Sequence, residues 1–358
     1  METQQLANLK RTLRILANEW LVQWFQGFKN VQLFARQIVP RRNLIVPHEI
    51  CVKKSLATMM ITYYEFHKYY HKCKSTIYKN KGENTMPEMP EVEQVRKTLA
   101  PHIEGKRITS VEVYLDRLIK HPTAAEFVEG LVGKTIQKVG RKGKYLVLHT
   151  DVNQKLIVHL RMTGALIAQK SELEPPAYSK IKFTLTDDTT MWFTDIRTFG
   201  TLYLVTNDDA YIEGYETLGP EPLSEGFTVD YLEPLAAKSR KPIKTFILDQ
   251  RVIAGLGNIY ADECLALSGI LPTRLANTLS HQEVVSLHEA INAVIAQGIK
   301  NRGTTFRDYK DGEGNKGDNQ NHLLVYGRKG EPCKQCGAVL VGTKVGGRGT
   351  VYCEHCQK

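Results

Sequence analysis

Three things are scarce in this chain of 358 residues. Cysteine is one, with 7 residues, too few for a disulfide scaffold of this length. Glycine is another: 27 residues exclude a collagen-like repeat. Long uncharged runs are the third. Within residues 1–85 the longest is the ten-residue stretch Ser55 to Tyr64, where a membrane span needs about 20. No membrane association is expected. Glu2, Lys10 and Glu19 interrupt the beginning of the chain, so no signal-peptide core forms. A cytoplasmic location with reduced thiols is the expectation.

Aspartate is absent from residues 1–85, which hold 14 Lys+Arg and 5 Glu and so carry +9. Residues 86–358 hold 34 basic and 33 acidic residues, a net of +1. The overall +10 therefore reports the first segment and is not a nucleic-acid signature of the body. Local basic patches remain, at Lys238, Arg240, Lys241 and Lys244, and in the tail from Arg328 to Lys358. Such patches usually mean solvated surface, with phosphate contact as the alternative. Hydrophobic residues make up 42% of the chain, enough for real cores in two or three domains.

What is present gains order after Met86. Pro90 suits a first helical turn, with Glu91 and Glu93 at its positive end. Val92, Val95, Leu99 and Ile103 recur at helical spacing, and Gly105 closes the helix. Strand-like runs follow at 108–115, 135–149, 155–161, 180–186, 190–194 and 201–206, with a hairpin turn at Asp187-Asp188. Many short strands with one helix imply an antiparallel sandwich or barrel. Gly219-Pro220-Glu221-Pro222 marks a boundary. Helices are expected beyond it at about 228–239, 242–249, 257–268 and 280–300. The turn Gly255-Leu256-Gly257-Asn258 opens one of them, either as an ordinary helical corner or as a phosphate-binding N-terminus. Residues 308–322, rich in Gly, Asp, Asn and Lys, read as a mobile or ligand-closing loop.

Cys333-Lys334-Gln335-Cys336 and Cys353-Glu354-His355-Cys356 are two C-x2-C knuckles. This is zinc-ribbon spacing. Four thiolates from Cys333, Cys336, Cys353 and Cys356 complete a tetrahedron with no open position, so one structural Zn2+ is expected. Between the knuckles, Gly346-Gly347-Arg348-Gly349 permits a sharp tip from which Arg348 would project.

Met86-Pro87-Glu88-Met89-Pro90-Glu91-Val92-Glu93 resembles the amino terminus of the formamidopyrimidine-DNA glycosylases. Gly143-Lys144-Tyr145, His159-Leu160-Arg161-Met162, Asp195-Ile196-Arg197-Thr198-Phe199-Gly200, Gly219-Pro220-Glu221-Pro222, Gly257-Asn258-Ile259-Tyr260, Val325-Tyr326-Gly327-Arg328 and the terminal ribbon extend the resemblance in order across 86–358. It implies an α+β multidomain fold. An N-terminal antiparallel β-sandwich with a leading helix would fill 86–218. A helix–two-turn–helix DNA-binding domain with a lesion loop would fill 219–322, and a zinc-ribbon finger 323–358. It also implies excision of oxidised purines from double-stranded DNA, nicking of abasic sites by β,δ-elimination, use at the bacterial nucleoid, and a monomer.

The same resemblance assigns roles. Pro87 would be the nucleophile: its amine, when free, attacks C1′ of the damaged nucleotide and becomes an iminium. Without the resemblance Pro87 reads as a helix-entry proline. Glu88 would move protons at sugar and base, Lys144 would serve β-elimination, and Arg348 would stabilise phosphate and leaving group in δ-elimination. Met162, Arg197 and Phe199 would fill the gap left by the flipped nucleotide, although Met162 and Phe199 could equally be sandwich core. Asn258, Arg240 and Lys244 would hold phosphates. Two departures stand out: Tyr178 and Lys180 occupy a segment that is often histidine-rich, and Thr198 stands where a basic residue is frequent.

Residues 1–85 have no counterpart in the resemblance. A proline inside a chain has a tertiary amide nitrogen and cannot attack C1′. The expectation is a true start at Met86, with Met86 removed to free Pro87. Lys81-Gly82-Glu83 can be encoded by a purine-rich run of the ribosome-binding type. The rival readings are an extension cut after synthesis, a non-catalytic lesion-binding zinc protein that retains it, and an enzyme for oxidised pyrimidines of the endonuclease VIII kind.

Overall fold

The computed structural model describes residues 86–206, 210–306 and 309–358. The expectations for residues 1–85 lie outside the described residues.

Helix α1 (Met89–Ile103) leads. Its expected apolar face is real: Val92, Val95, Leu99 and Ile103 are fully buried. Each such side chain contributes about 1.5–3 kcal/mol of burial. Gly105 follows in the left-handed region at φ +79°, where glycine costs nothing. Strands β1 (Ile108–Val113) and β2 (Ile119–His121) flank a short 3-10 turn, Asp116–Leu118. Helix α2 (Ala124–Leu131) comes next. It was not expected, yet its signal is in the sequence. Thr123 and Glu126 form a capping box, with the Thr123 N–H bonded to the Glu126 carboxylate at 3.0 Å.

The expected run 135–149 is two strands, β3 (Ile136–Lys142) and β4 (Tyr145–Thr150), split at Gly143 with φ +60°. Then come β5 (Gln154–His159), β6 (Gly164–Lys170), β7 (Ser179–Leu185), β8 (Thr189–Asp195) and β9 (Thr201–Thr206). β6 escaped the sequence reading because its small and polar residues do not alternate. Asp187 and Asp188 both take positive φ, as a tight hairpin of the β7–β8 kind requires.

Two sheets form, β1-β7-β8-β6 and β2-β9-β5-β4-β3. All pairings are antiparallel except β2 with β9, which is parallel. One core unites both sheets with α1 and α2, with Phe127, Phe183, Phe193 and Leu146 at its centre.

Helices α3 (Val229–Ala237), α4 (Ile243–Ile247), α5 (Asn258–Leu267) and α6 (His281–Lys300) build the second layer, close to the expected spans. Tyr260 of α5 is fully buried against α6, where Gly298 makes room: a Cβ there would lie 2.6 Å from the Tyr260 ring. Met89 of α1 joins this second core.

Strands β10 (Val341–Val345) and β11 (Arg348–Tyr352) form the terminal hairpin, turned by Gly346 and Gly347 at positive φ. The finger is tied to the helical layer. The buried Glu263 carboxylate of α5 accepts the N–H groups of Leu324, Val325 and Tyr326 at 2.6–2.9 Å. Gln357, also buried, donates to the Ile270 carbonyl at 2.9 Å. Among the described residues no helix is long and apolar enough to cross a membrane.

Candidate DNA lesion site

The leading helix delivers its N-terminus to the start of α5. Glu88, at the N-cap of α1, is 2% exposed. Its carboxylate accepts the Ile259 N–H at 2.9 Å and the Tyr260 N–H at 3.4 Å. Glu88 thus caps α5 from another part of the chain, because the residue at the N-cap of α5 is Gly257, which has no side chain to do so. These amides therefore serve a carboxylate of the protein and not a phosphate, which corrects one sequence expectation for this turn. Gly257 is required sterically: a Cβ would lie 2.5 Å from Glu88 Oε1.

Burial pushes the Glu88 carboxyl up to about 7, and the positive charge of Lys144 and the two amides restrain the rise. Lys144 follows the Gly143 turn and is 6% exposed. Burial lowers its ammonium pKa, Glu88 opposes that shift, and the charge of Arg348 adds to it. These two groups exchange protons more readily than their free counterparts.

Glu88, Lys144 and Arg348 line one cavity of about 520 Å³ together with Met162, Asn258, Arg161, Lys344 and Tyr326. Pro87 is buried between Met86 and Glu88, both of which line it. The finger supplies Arg348 through its hairpin. Asn258 Nδ2 holds the neighbouring Gly349 carbonyl at 3.2 Å.

Lys244 corrects the sequence reading. It is fully buried and paired with the buried Asp262 at 2.6 Å, so no phosphate reaches it. Its ammonium also donates to the Gly349 carbonyl and to Thr350 Oγ, both at 2.8 Å. It holds the strand that carries Arg348. Arg240 is exposed and does not line the cavity.

Met162, Arg197 and Phe199 come together at the surface and are not sandwich core. Phe199 is 52% exposed. The Arg197 guanidinium lies 4.7 Å from the Phe199 ring centroid and donates to Met162 Sδ at 3.1 Å. The buried Asp195 carboxylate organises their turn by accepting the N–H groups of Arg197 at 3.1 Å and Gly200 at 2.8 Å. Tyr178 is 57% exposed, and its carbonyl accepts the Asp195 N–H at 3.1 Å.

A buried network went unseen in the sequence. Glu91 Oε2 accepts the Glu88 N–H at 2.9 Å, while its Oε1 accepts the Tyr260 hydroxyl and the Thr304 N–H, each at 2.6 Å. Asn319 donates to Thr304 Oγ at 2.9 Å. The loop from Thr304 onward is thereby anchored to the helix that presents Glu88. His159 heads the run His159-Leu160-Arg161-Met162. It is buried, burial lowers its pKa to about 3, and its neutral Nδ1 accepts the Arg161 N–H at 3.0 Å. That bond fixes the left-handed Arg161, at φ +54°, just before Met162.

The four sulfurs of Cys333, Cys336, Cys353 and Cys356 lie within 4.8 Å of one another. Zn–S bonds of about 2.3 Å in a tetrahedron fit such separations. The finger holds one structural zinc on these thiolates.

Three family models cover the body of the chain: the formamidopyrimidine-DNA glycosylase N-terminal domain at 86–202, its H2TH domain at 218–310, and the zinc finger found in FPG and IleRS at 330–358. A protein of Pelotomaculum thermopropionicum named formamidopyrimidine-DNA glycosylase is 45% identical over 274 residues, 76% of this chain and 99% of its own. The chain belongs to the formamidopyrimidine-DNA glycosylase family. A Bacillus licheniformis protein of the same name is 42% identical over 275 residues, again 76% of this chain and all of its own. Among solved structures, the Lactococcus lactis Fpg bound to DNA containing an abasic site superposes with a TM-score of 0.71 at 36% identity, over 76% of this chain and 99% of that one. A MutM complex with DNA containing carbocyclic 8-oxo-G gives 0.70 at 36% identity, covering 76% of this chain and all of its own.

Proposed function

We propose that this glycosylase excises oxidised purines, 8-oxoguanine and formamidopyrimidines among them, from duplex DNA and then nicks the abasic strand. The observation that carries the reading is the convergence of Glu88, Lys144 and Arg348 in one cavity immediately after Pro87. The names of the relatives, and neighbours bound to Fapy-dG and abasic-site DNA, support the substrate class. In this reading residues 86–218 are the catalytic sandwich, 219–322 the DNA-binding helices with the lesion loop, and 323–358 the finger.

Met162 and Phe199 enter the stack when the nucleotide flips out, and Arg197 faces the orphaned base. The bases' lost stacking costs a few kcal/mol, about what two apolar wedges and a guanidinium can offset. Glu88 is protonated below about pH 7 and donates to the sugar ring oxygen as C1′ becomes electrophilic. The Pro87 amine forms its bond to C1′ as the bond to the base breaks. Loss of the amine proton and cleavage of the C1′–O4′ bond, whose oxygen keeps the proton from Glu88, then give the iminium. It acidifies the C2′ hydrogen, whose loss expels the 3′ phosphate. Lys144 carries protons in this first elimination. Arg348 stabilises the phosphate that leaves in the second.

This chemistry needs a chain that begins at Pro87. With Met86 attached, the Pro87 nitrogen is an amide, and the protein can bind a lesion but cannot use Pro87 on it. Borohydride trapping on an 8-oxoguanine duplex, with chains begun at Met1 and at Met86, tests both points. A covalent adduct only from the Met86 chain is the expected result. An adduct from an intact Met1 chain would make another amine, such as Lys144, the nucleophile. A parallel thymine-glycol duplex tests the pyrimidine alternative.

A further inference from the structure

Thr198 lies within the exposed turn between Arg197 and Phe199, in the left-handed region at φ +56°. Its side chain brings no charge to that turn. A different element does. Arg117, in the 3-10 turn between β1 and β2, is exposed and donates from Nη2 to Thr198 Oγ. The Arg117 carbonyl in turn accepts the Lys120 ammonium at 2.8 Å.

Two guanidinium groups therefore meet at the wedge: Arg197, which belongs to the turn and donates to Met162, and Arg117, which is joined to the turn through Thr198, with Lys120 bonded behind it to the Arg117 carbonyl. Among the described residues no carboxylate is ion-paired with Arg117 or Arg197, and the nearest acid of the turn, Asp195, is buried and spent on backbone N–H groups. Asp116, next to Arg117 in the same turn, is exposed and makes no ion pair with it, so the Arg117 charge stays available to an anion. A guanidinium fork also matches two phosphate oxygens at once.

We propose that Arg117 is a DNA-binding residue that grips a backbone phosphate beside the gap filled by Met162 and Phe199, supplying from a separate loop the charge that Thr198 lacks. The proposal rests on the reading of the wedge as the DNA-inserting turn. The hydrogen bond to Thr198 Oγ leaves the rest of the guanidinium's five donors for the phosphate. Because a phosphate carries no sequence information, Arg117 acts alike on damaged and undamaged DNA.

The test is the salt dependence of duplex binding, measured by fluorescence anisotropy on the full chain. Wild type, Arg117→Gln, Arg117→Lys and Thr198→Val are each titrated with an 8-oxoguanine duplex and its undamaged counterpart. One lost phosphate contact lowers the slope of log K against log salt by about 0.9. Arg117→Gln is expected to lose that amount on both duplexes, Arg117→Lys to regain it, and Thr198→Val, which removes the hydrogen bond and keeps the charge, to leave it unchanged. If Arg117→Gln keeps the wild-type slope, or if Thr198→Val lowers it equally, Arg117 only props the turn and the proposal is overturned. Failure of the wild-type chain to bind either duplex would instead remove the DNA reading itself.

Discussion

Glu88 and Gly257 are matched so closely that a methyl group at position 257 would lie 2.5 Å from a Glu88 carboxylate oxygen and 2.6 Å from its Cγ. The glycine is a seat for the carboxyl group, since its extended φ of −131° is open to any residue. Gly257→Ala is expected to displace Glu88 and slow base excision about a hundredfold, the scale of an ångström-sized misplacement. Single-turnover release of the base measures this. Excision within twofold of wild type would show that Glu88 tolerates the shift.

The pH profile of excision follows from the same carboxyl group. Burial holds Glu88 near 7, so it is still largely protonated just below that pH and loses its proton above it. Excision is expected to fall as pH rises through about 7. Lys144 lowers the Glu88 pKa through its charge, so Lys144→Met is expected to move this limb to higher pH. A limb that stays in place in Lys144→Met, read by release of free base from a single-turnover mixture, would assign it to another group.

Lys244→Met leaves Asp262 buried without its cation, a loss of about 3–5 kcal/mol in comparable pairs. It also removes the ammonium's bonds to Gly349 and Thr350 beside Arg348, leaving Asn258 alone on the Gly349 carbonyl. A lower melting temperature and slower strand nicking are expected together. The double variant Lys244→Met/Asp262→Leu should recover stability without recovering the nicking rate. Recovery of both would show that the tether does nothing for Arg348.

Phe199→Ala removes an exposed ring that the folded protein hardly packs, so its melting temperature should move little. Loss of one wedge should slow excision of 8-oxoguanine from duplex by about tenfold or more, out of the few kcal/mol that flipping costs. The same variant should act almost normally on a single-stranded lesion, where there is little stack to open. Equal losses on both substrates would place Phe199 elsewhere in the reaction.

Cys336→Ser removes one of four zinc ligands. The bound zinc per chain, read by a chromogenic chelator, is expected to fall well below one. Duplex affinity should fall with it, because the hairpin carries Arg348. The Glu263 anchor lies outside the metal cluster, so the helical layer should keep its helical circular dichroism.

The legible parts of this molecule were those written in local pattern. The face of α1, the long helix α6, the zinc knuckles and the Asp187-Asp188 turn each depend on residues a few positions apart. The site was legible only as motifs. Periodicity could not show that Glu88 and Ile259 meet, because 171 residues separate them. Lys244 misled for a related reason: its cationic neighbours in the sequence suggested surface, while its partner Asp262 lies one helix away. Arg117 gave no signal at all, since its meaning depends on Thr198, 81 positions later.

The two oxygens of Glu91 hold the amides of Glu88 and Thr304, one on each. Thr304 begins the loop expected to cover an extruded base. Between them stands one buried carboxyl group. A displacement of the loop's anchor is expected to reach the amide of Glu88, the residue proposed to carry protons. Discrimination between bases can then be written into turnover as well as affinity: a poorly fitting base that is held just as long is processed more slowly.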